Sequence, residues 1–426
     1  MILIKNCHLV DPKTGTDGKK DILIKDGRIA EVKDAICKDA VCGCGECQVI
    51  EADGLYALPG LVDAHVHFRD PGFTHKEDIE TGARSAAAGG VTSVVLMANT
   101  NPHVDNEETL RYVIDKGAAT DINVYTCANV TMDMAGEELV DMDALLKAGA
   151  VGFTDDGVPI MDSRIARKAM QEAARLNAPI SFHEENPAFI KNNGINAGKA
   201  SAHFGIGGSD RQAEIDMVRR DLSIALETGA DVVIQHISSK EAVELVRQAA
   251  KKSSRIHAEA TPHHFSLTEE AAIQYGTMAK MNPPLREEAD RLAIIEALKD
   301  GTIDLIATDH APHTAAEKAQ DVTKAPSGII GLETSLTLGW MYLVKTGALT
   351  ALELMEKAST NPAKLYKLDA GYLAEGGPAD LVLFDADKEW IPESFVSKSQ
   401  NTPFLGQKLT GQVVTTICKG KVVYQA

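Results

Sequence analysis

The sequence lacks features that would each indicate a class of function. No apolar run is long enough to cross a bilayer, and the opening residues lack the long apolar stretch of a signal peptide. Positive charge is scarce, since 43 Lys and Arg stand against 61 Asp and Glu, for a net charge of −18. Nucleic acids and anionic membrane surfaces attract clusters of Lys and Arg, so this balance argues against both as partners. We therefore expect a cytoplasmic enzyme.

Cysteine is sparse outside one short segment, which holds Cys37, Cys42, Cys44 and Cys47. This spacing is compatible with zinc or with an iron–sulfur cluster. A second Cys-x-x-Cys pair of the zinc-ribbon type is missing, however. A surface hairpin that carries reduced thiols is the alternative, and the sequence leaves the role of the segment open.

The middle of the chain alternates short β-branched runs with longer helical patterns. The predicted strands are Gly60–His67, Val91–Met97, Asn123–Ala128, Ala150–Thr154, Pro179–His183, Asp231–His236, Arg255–Ala260 and Ile303–Thr308. The helical patterns between them include Lys76–Ala88, Glu107–Lys116, Ser163–Leu176, Ala213–Glu227, Lys240–Lys251 and Glu287–Lys299. Eight strands separated by helices predict an α/β fold, a (β/α)₈ TIM barrel.

The two ends of the chain differ from this middle, because both consist of short strands and turns. The predicted strands are Ile2–Lys5, Asp21–Lys25, Arg28–Val32, Gln48–Glu51, Asp380–Phe384, Gln412–Cys418 and Lys421–Gln425. A chain of 426 residues exceeds what one core usually serves. We predict a small β-sandwich domain built from residues 1–55 and 369–426 around a catalytic barrel of residues 56–368.

His65 and His67 end the first predicted barrel strand, and alternation along a strand places them on one face. The carboxyl ends of barrel strands form the mouth where such enzymes keep their chemistry. Other strands end at Asp155 or Asp156, His183, His236 and Asp309. Singly, each residue has a plain structural explanation, such as a helix cap. Together they offer four histidines and two carboxylates, which suits two divalent ions such as zinc.

The chain resembles the amidohydrolase superfamily of metal-dependent hydrolases, and within it the bacterial type I dihydroorotases. The resemblance covers nearly the whole chain and rests on these motifs: His65-Val66-His67-Phe68-Arg69-Asp70-Pro71-Gly72, Met97-Ala98-Asn99-Thr100-Asn101-Pro102, Phe153-Thr154-Asp155-Asp156-Gly157, Thr261-Pro262-His263-His264, Lys280-Met281-Asn282-Pro283-Pro284-Leu285-Arg286, Ala307-Thr308-Asp309-His310-Ala311-Pro312-His313 and Gly331-Leu332-Glu333-Thr334. The family usually has Met-Pro-Asn-Thr where this chain has Ala98.

The resemblance implies a binuclear zinc site. His65, His67 and Asp309 would hold one Zn²⁺, His183 and His236 the other, and Asp156 would bridge them. Many relatives bridge their metals with a carboxylated lysine, but this chain has no lysine between Gly149 and Met161. Alternation allows only one of Asp155 and Asp156 to face the metals, and the choice of Asp156 comes from the family pattern.

The resemblance also implies reversible cyclisation of N-carbamoyl-L-aspartate to L-dihydroorotate in pyrimidine biosynthesis. A metal-bridging hydroxide would attack the ring, and Asp309 would act as general acid and base. Because the substrate carries a carboxylate, the mouth needs a cation, and Arg69 offers a bidentate fork. The other implied substrate contacts are Asn99, Asn282, His313, Ser327 and Gly328.

Other interpretations stay open. A dihydropyrimidinase, hydantoinase or allantoinase is the enzymatic alternative, against which Arg69 and the missing bridge lysine argue. A metal-free homologue that acts by association is the non-enzymatic one, although all six candidate ligands are present. Besides the small-molecule substrate, we expect a second copy in a homodimer, and association with aspartate carbamoyltransferase is open. The polar segment 314–326 is a mobile lid or a surface loop without a role.

Overall fold

The computed structural model describes residues 1–37 and 47–426. Of the cysteine-rich segment, Cys37 and Cys47 are therefore described, whereas Cys42 and Cys44 lie outside the described residues. Strands of the described chain are β1 Ile2–Asp11, β2 Thr16–Lys25, β3 Arg28–Lys33, β4 Gln48–Glu51, β5 Tyr56–Pro59, β6 Leu61–Val66, β7 Val91–Leu96, β8 Asn123–Thr126, β9 Phe153–Thr154, β10 Ile180–Phe182, β11 Val232–Ile234, β12 Ile256–Ala260, β13 Leu305–Ile306, β14 Leu381–Trp390, β15 Leu409–Cys418 and β16 Lys421–Gln425.

Strands β6 to β13 form a closed parallel barrel. The first three pair in the order β6-β7-β8, and the other five pair in the order β9 to β13. Two parallel bridges join these groups, Ala128 with Phe153 on one side and Val66 with His310 on the other. On the second side, the His67 amide also donates a hydrogen bond to the His310 carbonyl over 2.9 Å. Each strand lies within a predicted one, so the prediction of a (β/α)₈ barrel is confirmed.

Helices connect the barrel strands, and their apolar residues recur with the period of a helix. The helix Ser163–Leu176 shows the rule, since it buries Ala166, Ala169, Met170 and Ala173. The longer helices are Ile79–Ala88, Glu107–Ala118, Ser163–Leu176, Gln212–Thr228, Lys240–Ala250 and Glu288–Asp300, and the shorter ones are Met142–Ala148, Lys199–Phe204, Pro262–Ser266, Glu269–Tyr275 and Ala315–Lys318. In the part of the chain that the structure describes, no helix is both long and apolar enough to cross a membrane.

Between β13 and β14 the chain is largely helical, and no helix was predicted in this segment. Short α-helices at Ser335–Gly339, Ala351–Met355 and Asn361–Leu365 alternate with π-helical turns at Trp340–Val344 and Glu356–Thr360. A π-turn inserts one extra residue per turn, so it shifts the apolar face of the helix around its axis. This shift explains why a simple 3.6-residue period is hard to find in this segment.

Both chain ends contribute to one eight-stranded sheet. Its order is β16-β15-β14-β5-β1-β2-β3, with β4 paired to β1. The apolar cluster beside it joins the two termini, since it contains Ile4, Leu9, Ile22, Leu381 and Ile417. The prediction of a β-domain assembled from both termini is therefore confirmed. The domain boundaries after residues 55 and 368 stay a prediction, and β5 lies in this sheet.

Candidate active site

The six residues suggested as metal ligands converge at the carboxyl ends of the barrel strands. His65 lies in β6 and His67 follows it, and the others follow β9, β10, β11 and β13: Asp156, His183, His236 and Asp309. All six are buried. Parallel strands that end at one rim bring residues far apart in sequence within contact distance. The barrel itself therefore assembles the cluster.

On one side of the cluster, His65 and His67 each lie close to both carboxylates, Asp156 and Asp309. The Nε2 atom of His67 lies 3.0 Å from the nearer Asp309 oxygen and 3.3 Å from an Asp156 oxygen. The Nε2 atom of His65 lies 3.4 Å from Asp156 and 3.6 Å from Asp309. That Nε2 atom is fully buried and has no hydrogen-bond partner among the described residues. An orphaned buried imidazole nitrogen aimed at two carboxylates is the arrangement expected of a metal ligand.

His183 and His236 lie on the other side of Asp156. The same Asp156 oxygen is 3.7 Å from His183 Nδ1 and 3.6 Å from His236 Nε2, and these two nitrogens are 3.0 Å apart. Four tetrahedral ligands at zinc bond lengths stand about 3.3 Å from one another. The donor atoms therefore fit a divalent ion, and Asp156 is shared by both sides. Two groups of these side chains could hold a metal ion: His65 with Asp156 and His236, and His65 with His67 and Asp309.

The electrostatics of the cluster favour ionised carboxylates. Burial would raise the pKa of Asp309, but His65 and His67 outweigh it and lower that pKa to about 2. Burial acts against ionisation of Asp156 in the same way, and the facing histidines, His65 foremost, lower its pKa well below the usual range. Both carboxylates therefore carry negative charge near neutral pH, where they attract a cation.

A second layer of polar side chains fixes the orientation of three histidines. His65 Nδ1 lies 2.9 Å from a Glu259 carboxylate oxygen, and both side chains are completely buried. His67 Nδ1 pairs with the Asn99 amide oxygen at 3.0 Å, and His183 Nε2 lies 3.2 Å from Glu185. Such partners decide which ring nitrogen faces the metal.

Sequence reasoning did not assign Glu259 or Glu185. Glu259 lies inside the otherwise mostly apolar strand Ile256–Ala260, and a carboxylate in a buried strand was the available signal. Glu185 lies two residues beyond His183, outside the strand Ile180–Phe182, so strand alternation says little about its direction. Glu259 contacts His65 and Glu185 contacts His183, and the spacing of residues in the sequence does not identify such contacts.

The neighbouring carboxylates Asp155 and Asp156 face in opposite directions. Asp155 accepts hydrogen bonds from the Val130 amide at 2.8 Å and from the Thr131 hydroxyl at 2.5 Å, so it holds the loop after β8. Asp156 faces the histidines and accepts from Asn99 instead. Strand alternation predicted this division without saying which residue would face which side.

Three residues of the site adopt left-handed backbone conformations, namely Arg69 at φ 60°, His236 at φ 33° and Asp309 at φ 47°. Such conformations are costly for residues other than glycine and concentrate at functional sites. Because β6 ends at Val66, the direction of the Arg69 side chain is set by this left-handed turn and not by strand alternation.

All the suggested substrate contacts line one cavity of about 360 Å³ beside the ligand cluster. Its lining residues are His67, Arg69, Asn99, Asp156, Gly157, His183, Asn193, His236, Met281, Asn282, Asp309, Ala311, His313, Pro326, Ser327 and Gly328. The Arg69 guanidinium lies 3.5 Å from His313 Nε2, which donates to the Ser327 carbonyl over 2.9 Å. Burial, followed by the charge of Arg69, lowers the pKa of His313 to about 2, so its ring is neutral. Asn193 and Met281 were not suggested by the sequence.

Comparisons with known proteins show the family of this chain and its fold. The profile of the amidohydrolase family matches residues 56–423. A dihydroorotase of Clostridioides difficile is 53% identical over the full length of both chains, and one of Streptococcus pneumoniae is 51% identical, also over both full lengths. Among solved structures, the L-hydantoinase (dihydropyrimidinase) of Arthrobacter aurescens has a TM-score of 0.86 at 27% identity and covers 100% of this chain and 96% of its own. Both full-length relatives are named dihydroorotase, and the chain belongs to the amidohydrolase family.

Proposed function

We propose that this chain is a zinc-dependent enzyme that interconverts N-carbamoyl-L-aspartate and L-dihydroorotate in pyrimidine biosynthesis. The observation that carries the proposal is the position of Arg69, whose guanidinium lines the same cavity as the ligand cluster. A ring amide at the cluster would place its carboxylate within reach of that cation. The full-length relatives named dihydroorotase support the same reaction.

We further propose that the cluster holds two Zn²⁺ ions, with Asp156 as the shared ligand. His65, His67 and Asp309 would hold one ion, and His183 and His236 the other. Histidine nitrogen and carboxylate oxygen are the donors that zinc prefers in hydrolases. Bound there, a pair of divalent ions supplies an activated water and polarises the carbonyl under attack.

Asp309 is proposed as the general acid and base. It is ionised and lines the cavity, so its free oxygen is available to accept a proton there. During ring opening it takes the proton of the attacking water and delivers it to the departing ring nitrogen. In ring closure the same carboxylate removes a proton from the ureido nitrogen and returns it to the departing oxygen.

The remaining cavity residues are proposed to bind substrate. Arg69 binds the carboxylate. Asn99 and the neutral His313 line the same cavity as further polar groups. Asn282 reaches the cluster, with its amide nitrogen 3.4 Å from His183. Gly328 has a φ of 150°, and a Cβ there would stand 2.7 Å from the Ala311 carbonyl, so glycine lets the backbone pass close to His313.

A substrate panel tests the proposed function. Zinc-loaded protein should hydrolyse dihydroorotate, and treatment with a chelator should abolish the activity until zinc is restored. Hydrolysis of dihydrouracil or hydantoin at the same efficiency would instead assign the chain to the hydantoinases and dihydropyrimidinases, which share its fold. Absence of any zinc-dependent hydrolysis would contradict the proposed function.

Three further proposals concern the setting of the enzyme, and each rests on the proposed reaction. We propose that the chain forms a homodimer, that it works in the cytoplasm, and that it is able to associate with an aspartate carbamoyltransferase, the enzyme that makes its substrate. Sedimentation of the purified chain, alone and mixed with that transferase, tests the first and the last. A monomer at micromolar concentration would contradict the homodimer.

A further inference from the structure

Two buried lysines lie behind the wall of the cavity that Pro326, Ser327 and Gly328 form. Lys280 precedes Asn282 in sequence, and Lys318 ends the short helix Ala315–Lys318. The exposed fractions are 4% for Lys280 and 3% for Lys318. Lysine is among the residues least often buried to this degree, so both positions require an explanation.

Each ammonium group donates hydrogen bonds to two backbone carbonyls of the same segment, residues 322–328. Lys280 Nζ lies 2.8 Å from the Val322 oxygen and 2.7 Å from the Ala325 oxygen. Lys318 Nζ lies 2.9 Å from the Pro326 oxygen and 3.0 Å from the Gly328 oxygen. The two side chains therefore fasten the segment at four points.

Burial makes the charged form of a lysine less favourable. Burial lowers the pKa of Lys318 to about 7, and the charge of Lys280 acts in the same direction. Two cations held near each other away from water do not stabilise a fold by themselves. Two buried cations at this place are explained if the segment that they hold must keep a fixed position.

The segment is connected directly to residues proposed to bind substrate. The Ser327 carbonyl accepts from His313 Nε2, and the Gly328 amide donates to the Lys280 carbonyl over 2.9 Å. His313 in turn lies beside Arg69. A displacement of residues 326–328 would therefore also move the partner of His313.

We propose that Lys280 and Lys318 are positioning residues that hold Pro326–Gly328 and, through Ser327, His313 in place for substrate binding. The inference rests on the proposed function, because it assigns these groups to the substrate. Neither lysine lines the cavity or belongs to the proposed ligands. Their removal should weaken substrate binding more than it impairs the chemical step.

The test compares Lys280→Met and Lys318→Met with Lys324→Met, a change of an exposed lysine in the same segment. Methionine keeps the length of the stem and removes the ammonium. We expect kcat/KM for dihydroorotate to fall about tenfold or more in the first two variants, the scale of a lost charged hydrogen bond. The loss should appear mainly in KM, with unchanged zinc content, and Lys324→Met should stay within about twofold of wild type.

Wild-type KM in both buried-lysine variants would overturn the proposal, as would a loss confined to kcat and zinc content. If the variants do not fold, hydrogen exchange of the wild-type protein decides. Slow exchange of the Ala325 and Gly328 amides supports a segment that is held in place, and exchange at the rate of an open chain overturns it. A wild type without activity on dihydroorotate contradicts the proposed function alone, since the exchange data still report on the segment.

Discussion

The ligand cluster and the substrate wall, residues 326–328, face the same cavity but are built by different means. The cluster residues lie on or just beyond strand ends, and side chains such as Glu259 and Asn99 orient them. The wall belongs to a loop, and its Pro326 and Gly328 carbonyls accept hydrogen bonds from the buried Lys318. The barrel strands therefore place the candidate ligands, whereas the opposite wall of the cavity is positioned by contacts outside the barrel strands.

The strongest test of the cluster is Asp156→Ala. Because both sides of the cluster share this carboxylate, we expect activity to fall on the order of 10⁴-fold or more, with a loss of bound zinc measured by elemental analysis. Asp155→Ala is the matched control, since that carboxylate holds the loop after β8 and should leave zinc content largely intact. Full zinc retention in Asp156→Ala would contradict the shared ligand, and equal loss in both variants would contradict the assignment of directions.

On the substrate side, Arg69→Met should separate substrates that have a carboxylate from those that lack one. Loss of one partner of a buried charge pair costs about 3–5 kcal/mol, so turnover of dihydroorotate should fall by a factor of hundreds to thousands. Dihydrouracil, which has the ring but no carboxylate, should be hydrolysed about as slowly as by wild type. Steady-state kinetics with both substrates provides the measurement. The exposed Arg84→Met serves as the control, and an equal loss on both substrates would contradict the assigned role.

Glu259→Gln tests whether the carboxylate that contacts His65 orients this histidine. An amide in place of the carboxylate weakens the hold on His65, so zinc affinity should fall about 10- to 100-fold. Competition with a chelator of known affinity measures this change without any assay of activity. The exposed Glu270→Gln provides the control, and wild-type affinity in Glu259→Gln would show that Glu259 does not orient the ligand.

The smallest expected effect of the variants is on the equilibrium of the reaction, because an enzyme changes the rate of a reaction and not its equilibrium. Ring closure takes up one proton, so each unit fall in pH should shift the equilibrium about tenfold towards dihydroorotate. Variants of either region should reach the same product ratio as wild type, only more slowly. Chromatography of equilibrated mixtures at pH 6 and pH 8 measures the ratio, and a ratio that does not change with pH would contradict the reaction assigned to the chain.

The barrel and the ligand candidates could be predicted from the sequence because both obey short-range rules. Buried parallel strands appear as apolar runs, and residues such as His183 and His236 stand directly after them. The direction of Arg69 could not be predicted, because it depends on a left-handed turn beyond β6. Glu259 and Lys318 were not assigned, since their partners are distant in sequence or are backbone carbonyls of a loop.

The most direct test of the central claim is the ratio of kcat/KM for dihydroorotate to that for dihydrouracil, measured on the same zinc-loaded wild-type preparation. The guanidinium of Arg69 beside the ligand cluster predicts a preference of at least hundreds-fold for dihydroorotate, because an unpaired cation is left behind when a ring without a carboxylate binds. Equal efficiency on the two rings would contradict the claim and would place the chain with the hydantoinases and dihydropyrimidinases.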